Sequence, residues 1–284
     1  MELRDDRGQT EAEFLANYRP KDYERPSVTV DMPIFTLREE GGEAALYVLL
    51  IQRKNHPFIM QWALPGGFVE PDESTETAAR RELEEETGIR DLYLEQFHTF
   101  STPGRDPRTW IISCAYVALA DGSRLAVQAG DDARDAAWFR VELEKGDVRR
   151  NEIEGGFEAE TLWSLKLSHG DVCLRASLAH LRQSTAGTEW EDWQIRDNEG
   201  LAFDHSQIIT MAWMHVRKQV IADNAVCHLL PEVFTLEQLR GAYRVFLGEE
   251  LSVKMAAAEN RNIEAAKLPG TYRKRLREQG NRWI

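Results

Sequence analysis

Strand-like runs fill the first half of the chain, and apolar positions recur at helical spacing along its last third. A polar stretch over residues 1–25 leads into a β-branched run at Val28-Thr29-Val30. Met32–Leu37 and Leu46–Gln52 then read as two strands separated by the turn-rich Glu39–Glu43. Trp62–Val69 predicts a short strand and a glycine turn. Leu92–Phe100 and Ile111–Ala120 are further strands, with the loop Ser101–Arg108 between them, and Ala136–Val141 closes this unit. One helix is committed among them. Pro71-Asp72 followed by Ser74-Thr75-Glu76 supplies caps and an acid in the first turn, and Gly88 supplies the stop. Pattern alone therefore gives an α+β class.

From Glu142 to Gly200, Glu160–Leu167 and Asp171–Ala179 alternate around Ser168-His169-Gly170, which predicts a hairpin. Such an insertion covers a site, joins two copies or extends the sheet, and the sequence does not choose among these. After Gly200 the character turns helical. Phe203, Ile208, Ile209, Ala212, Trp213 and Val216 recur behind Asp204, the expected cap. Thr235-x-x-Gln238 is a capping box that opens a second helix through Leu247. Leu251–Ala266 offers a third helix, and a Pro-Gly turn then leads into a basic end. The expected units are residues 1–145, an inserted β-rich segment 146–200, and a carboxy-terminal unit 201–284.

Composition narrows the class. No apolar run approaches the roughly 18 residues of a membrane span, and the amino terminus lacks a signal-peptide pattern. Cys114, Cys173 and Cys227 are an odd, scattered set, which favours reduced thiols and a cytoplasmic location. The net charge is −13, yet residues 261–284 hold seven Lys/Arg against two Glu, a local +5 that leaves −18 on the rest. A basic tail on an acidic body suits contact with a phosphate backbone. Basic ends without such a partner are also common, so double-stranded DNA stays an open partner.

Candidate chemistry concentrates in residues 67–89, Gly-Phe-Val-Glu-Pro-Asp-Glu-Ser-Thr-Glu-Thr-Ala-Ala-Arg-Arg-Glu-Leu-Glu-Glu-Glu-Thr-Gly-Ile. At 100° per residue, Glu82, Glu85 and Glu86 share an arc of roughly 100°, while Glu84 points almost the other way. Like charges at i,i+4 destabilise a helix. Hard divalent cations with oxygen ligands remove that repulsion, and Mg²⁺ shared with substrate phosphates is the usual arrangement. Such an ion screens a diphosphate and activates a water. A solvated acidic face is the ordinary meaning of a charge run. The flanking glycines and fixed spacing favour the metal reading here.

This segment resembles the Nudix box at all nine specified positions: Gly67, Glu73, Arg81, Glu82, Leu83, Glu85, Glu86, Gly88 and Ile89. The resemblance implies an α/β/α sandwich and divalent-metal hydrolysis of nucleoside diphosphates linked to another group. It implies Glu82 and Glu86 as main ligands of Mg²⁺ or Mn²⁺, Glu85 assisting, and the Gly66 carbonyl often joining them. Arg81, counted with these catalytic residues, looks like the partner of Glu73 in orienting the ligand helix. The general base varies among Nudix branches; Glu85 is the first candidate and Asp132 the second.

Two further stretches look like one Nudix subgroup. Leu201-Ala202-Phe203-Asp204-His205 opens a helix, and Leu229-Leu230-Pro231-Glu232-Val233-Phe234-Thr235-Leu236-Glu237-Gln238-Leu239 follows. They resemble the Nudix proteins that end in a winged helix-turn-helix-like domain, among them ADP-ribose-sensing regulators of NAD metabolism. Gly104-Arg105-Asp106-Pro107-Arg108 also resembles this subgroup. By analogy Arg105 and Arg108 reach substrate phosphates, because guanidinium forks suit them; loop arginines held in ion pairs are the equal alternative. Arg53 and the Gly66–Gly67 backbone complete the candidate substrate-binding set. Residues 252–261 are poor in the basic side chains of a DNA-recognition helix, and every box carboxylate is kept. Both departures favour a pyrophosphohydrolase acting on ADP-ribose or a related nucleoside diphosphate, giving AMP and a sugar phosphate. The competing reading is a DNA-binding regulator that senses ADP-ribose. A homodimer is the expectation for either.

Overall fold

The computed structural model describes residues 3–19, 21, 23–88, 92–122, 133–223, 225–248, 263–265 and 270–274. The chain enters through a short capped helix, α1 (Glu11–Asn17), none of whose residues is buried. Strands β1 (Ser27–Asp31), β2 (Ile34–Glu40), β3 (Glu43–Arg53), β4 (Trp62–Ala63) and β5 (Gly66–Phe68) precede helix α2 (Thr75–Thr87). Strands β6 (Tyr93–Phe100) and β7 (Ile111–Ala120) follow. Four long strands come next: β8 (Ala133–Ile153), β9 (Gly156–His169), β10 (Val172–Thr185) and β11 (Thr188–Glu199). Helix α3 (His205–Asp223), a 3₁₀ turn (Ala225–Leu229), β12 (Val233–Thr235), α4 (Leu236–Leu247), β13 (Ile263–Ala265) and β14 (Thr271–Lys274) complete the described chain.

Eleven strands form one sheet, in the order β11-β10-β9-β8-β3-β2-β7-β1-β5, with β4 on β3 and β6 on β7. Strand β7 runs parallel to β1 and β2. Successive side chains of a strand face opposite ways, so a central strand covered on both sides must be apolar throughout. Strand β3 shows this directly. Ala45, Tyr47 and Leu49 pack with Ala78, Ala79 and Leu83 of α2. Leu46, Val48 and Leu50 join the other core, shared with Ile208, Ile209 and Ala212 of α3 and with Leu239 and Tyr243 of α4. The expected sandwich is present, and its second helical layer is made by residues beyond 200.

At the expected boundary 145/146 strand β8 continues, with its pairing to β9 shifted in register between Lys145 and Val148, after pairing with β3 upstream. A single core spans the second expected boundary, 200/201. The expected hairpin is β9–β10, paired from His169↔Val172 out to Gly156↔Thr185, longer than the alternating stretches predicted. Of the roles left open, the insertion extends the sheet.

Helix ends follow local chemistry. Ser74 Oγ accepts the Thr77 N–H, and Gly88 closes α2 at φ +70°. Thr235 and Gln238 form their reciprocal capping box. The cap expected at Asp204 is different: both of its carboxylate oxygens accept from Arg105 instead. At the carboxy-terminal end, β12, β14 and β13 form an antiparallel sheet in that order, with α4 between the first two strands in the chain. This is the strand order of a winged-helix-like unit. The third helix expected over Leu251–Ala266 is corrected at Ile263–Ala265, where pairing with Thr271–Lys274 makes a strand. The rest of that helix and Asp132 lie outside the described residues. Among the described residues, no helix is long and apolar enough to cross a membrane.

Candidate active site

Strand β5 lies against β1 with Gly66 opposite Asp31 and Gly67 opposite Val30. Both glycines are fixed by close approach. At Gly66, φ is +154° and a Cβ would stand 2.1 Å from the Val30 carbonyl oxygen. At Gly67 a Cβ would stand 2.0 Å from Oε1 of Glu82. The turn before α2 is thus narrow so that the Glu82 carboxylate can press on the Gly67 backbone.

Arg81 organises this end of the helix. Its guanidinium donates to Glu73 (Nη2 to Oε1, 2.8 Å; Nε to Oε2, 3.3 Å), to the Phe68 carbonyl (3.3 Å) and to Glu82 Oε1 (2.7 Å). It also stands 3.6 Å from Glu85 Oε1. The orienting pair Arg81–Glu73 is therefore formed as expected, and it binds the strand as well as the helix. Hydrogen bonding from Arg81 holds the Glu73 carboxyl below its ordinary range. Burial pushes Glu82 up, against the opposing pull of Arg81.

The three box glutamates do share a helix side, but not one environment. Glu82 is nearly covered at 12% side-chain exposure, Glu85 is open at 55%, and Glu86 is buried. Among the described residues, no three His, Cys, Asp or Glu side chains are gathered as a metal-binding group. Arg81 supplies a countercharge between Glu82 and Glu85.

All five candidate substrate residues line one cleft of about 260 Å³: Arg53, Gly66, Gly67, Arg105 and Arg108, with Phe203 across from the strands. Gly67 also stands against Glu82. The partners of the three arginines differ. Arg105 is only 5% exposed and donates to Asp204 (2.8 and 2.7 Å) and to Asp31 (3.3 Å). Burial lowers its pKa, but those two carboxylates outweigh burial and the net shift is upward. Arg105 is thus a structural cation in this arrangement rather than one extended toward a phosphate. Arg108 is 39% exposed, held by Asp106 (2.7 Å) and placed over the rings of Phe68 and Phe203. Arg53 donates to the Pro57 carbonyl (2.8 Å) and also lies over Phe203.

Asp31, Phe203 and His205 are cleft residues that sequence reasoning missed. Asp31 accepts from Ser113 Oγ (2.6 Å) as well as from Arg105. His205 Nδ1 accepts the Leu64 N–H at 2.8 Å, which leaves the ring proton on Nε2, 3.5 Å from Asp31 Oδ1. Burial lowers the His205 pKa despite Asp31 and Asp204, so the ring is neutral. For Phe203 and His205 the signal was the segment Leu201–His205, read as a helix opening and as part of the resemblance but not as cleft wall; Asp31 carried no such signal. The contribution of that segment to the cleft depends on where α3 docks.

The NUDIX domain family matches residues 28–154. The chain is 29% identical over 269 residues to the ADPR responsive transcriptional repressor NtrR of Acinetobacter baylyi, covering 94% of this chain and 84% of that one. It is 42% identical over 117 residues to the ADP-ribose pyrophosphatase of Methanocaldococcus jannaschii, covering 41% of this chain and 63% of that one. A crystal structure of a MutT/nudix family protein from Enterococcus faecalis is similar at 33% identity and a TM-score of 0.69, with 95% of each chain covered.

Proposed function

The chain belongs to the Nudix hydrolase family, and from this we propose that it is a pyrophosphohydrolase cleaving ADP-ribose or a related nucleoside diphosphate derivative. The observation that carries this reading is the place of Gly67. It lines the cleft that bears Arg53 and Arg108, and a Cβ on it would stand 2.0 Å from the Glu82 carboxylate. A diphosphate in that cleft lies beside the box helix, with guanidinium groups at hand for its oxygens.

Glu82, Glu86 and Glu85, with the Gly66 carbonyl, are all oxygen donors, the chemistry that Mg²⁺ or Mn²⁺ takes, and the three carboxylates would have to draw together to hold one ion. A divalent ion bound there would screen the diphosphate and lower the pKa of an attacking water. The chain's own residues do the positioning. Glu73 fixes Arg81, and Arg81 fixes Glu82 against Gly67. Water adds to one phosphorus, the bridging P–O bond breaks, and ADP-ribose gives AMP and ribose 5-phosphate. Glu85, exposed beside Arg81, is the described candidate for taking the proton. A cytoplasmic homodimer completes the proposal.

The test is a screen of the purified chain with Mg²⁺ against ADP-ribose, NAD⁺, NADH, ADP-glucose and oxidised nucleotides, with Glu86→Gln beside it. Turnover of ADP-ribose that the variant loses supports the assignment. No product from any compound, or equal turnover by the variant, overturns it.

A second reading is a DNA-binding regulator that senses ADP-ribose. The match to a repressor along 94% of the chain favours it, as does the β12-β14-β13 sheet. It requires salt-dependent binding to a promoter-like duplex that ADP-ribose weakens. Binding no better than to random duplex at physiological salt removes it.

A further inference from the structure

Phe203 has a backbone conformation that its side chain does not favour. Its φ is +54°, a region sparsely populated by bulky residues and costly to hold unless the surroundings enforce it. The enforcing contacts lie on both sides. Ala202 N–H donates to the Trp62 carbonyl, and the Phe203 carbonyl accepts from Asn198 Nδ2. The result is a half-buried ring delivered into the cleft from the first residues of the carboxy-terminal helices.

That ring is the centre of a cluster of flat groups. The Phe58 ring meets it edge-on at 4.7 Å, and the Arg53 guanidinium lies over it at 4.9 Å. Arg108 also lies over it, at 5.6 Å, and the same guanidinium lies over Phe68 at 5.4 Å. Phe68 is 48% exposed, although it follows directly on the two glycines of the metal-side turn. One planar cation, held by Asp106, therefore lies over two aromatic rings whose residues line the cleft. Phe203 and Phe58 also pack against the buried Ile51, Ala63 and Ala202, whereas the exposed Phe68 joins none of the core clusters and meets the same arginine. Aromatic faces and arginine planes are what a nucleobase stacks on.

We propose that Phe68, Phe203 and Arg108 form the stacking slot for the base of the nucleoside diphosphate, and so determine the preference for nucleotides over base-free diphosphates. This rests on the hydrolase reading for its substrate class and adds where the base lies. Because stacking engages the π-face that every base has, the slot selects a planar base more than a particular one.

The test uses the full chain and two probes, 1,N⁶-ethenoadenosine 5′-diphosphate and inorganic pyrophosphate. Phe203→Leu and Phe68→Leu keep apolar bulk but remove the π-face. Phe68 is exposed, so its variant folds even if Phe203→Leu does not. Phe203→Tyr restores the face. The expected result is emission quenched on binding to the parent chain, and an affinity for the etheno nucleotide weakened about ten- to hundred-fold in either Leu variant. Pyrophosphate affinity stays within about twofold, and Phe203→Tyr recovers the nucleotide. Equal weakening of both probes, or no weakening in Phe68→Leu, overturns the slot. If the parent chain hydrolyses ADP-ribose and the Leu variants keep its KM, the slot falls and the hydrolase assignment stands. If quenching is lost in the variants but the parent chain hydrolyses nothing, the slot stands and the assignment falls.

Discussion

Arg105 and Asp204, 99 residues apart in the chain, are joined by two charge-assisted hydrogen bonds, Nε to Oδ2 at 2.8 Å and Nη2 to Oδ1 at 2.7 Å. The pair ties the loop before β7 to the start of α3, and Asp31 on β1 closes the same cation from a third direction. Little of this group is open to solvent, so its members depend on one another.

Arg105→Met leaves Asp31 and Asp204 facing each other without their cation, and is expected to cost about 3–5 kcal/mol. Adding Asp204→Leu should recover part of that loss, because the second change removes the uncompensated charge. Urea unfolding of the two singles and the double gives the coupling. Additive singles would show that the pair is not coupled.

Gly67→Ala places a methyl where Oε1 of Glu82 now lies, 2.0 Å away. The carboxylate must swing aside, and displacement of this size at a reacting group costs roughly 100-fold in rate. Mg²⁺-dependent turnover of ADP-ribose should fall by about that factor while the melting temperature changes little. Unchanged turnover would mean that Glu82 has no part in the chemistry.

Glu73→Gln tests the support of Arg81. Losing that ion pair frees the guanidinium that holds Glu82, and loss of such outer partners typically costs about 10–100-fold in metal affinity or activity. Titration of activity with Mg²⁺ should show the loss mainly as a raised metal requirement. A fall in turnover with an unaltered metal requirement would count against the positioning role.

His205 gives the chain an acid-sensitive element. Its folded pKa is lowered from the ordinary 6.5 by burial, with Asp31 and Asp204 opposing and Arg105 and Arg53 assisting. The unfolded state therefore binds more protons, and stability rises with pH through this window. The contribution is complete above about 6.5 and is lost as pH falls from there toward the lowered folded value. His205→Asn retains an acceptor for the Leu64 N–H but cannot titrate. Its melting temperature should fall less steeply between pH 7 and 5.5 than that of the parent chain. Parallel profiles would assign the acid sensitivity elsewhere.

Much of the fold was legible because it rests on local rules. The apolar run in Leu46–Gln52, the cap at Ser74, the stop at Gly88 and the capping box at Thr235 and Gln238 each depend on neighbours within a few residues, and each formed. The cap assigned to Asp204 did not form because a partner 99 residues away competes for its carboxylate. Ile263–Ala265 became a strand because β14 offered a ladder that helical spacing does not reveal.

What the sequence determined alone is the carboxylate set on α2, its glycine-bounded turn and the family these belong to, since spacing on one helix is a local property. It also named five residues that line one cleft. Tertiary structure decided how those residues are used. Sheet register put Asp31 against Gly66, and docking of α3 on the sheet brought Phe203, Asp204 and His205 into the cleft wall. Whether an arginine is committed to a carboxylate or lies over a ring depends on which distant partners folding brings to it. No periodicity carries that information.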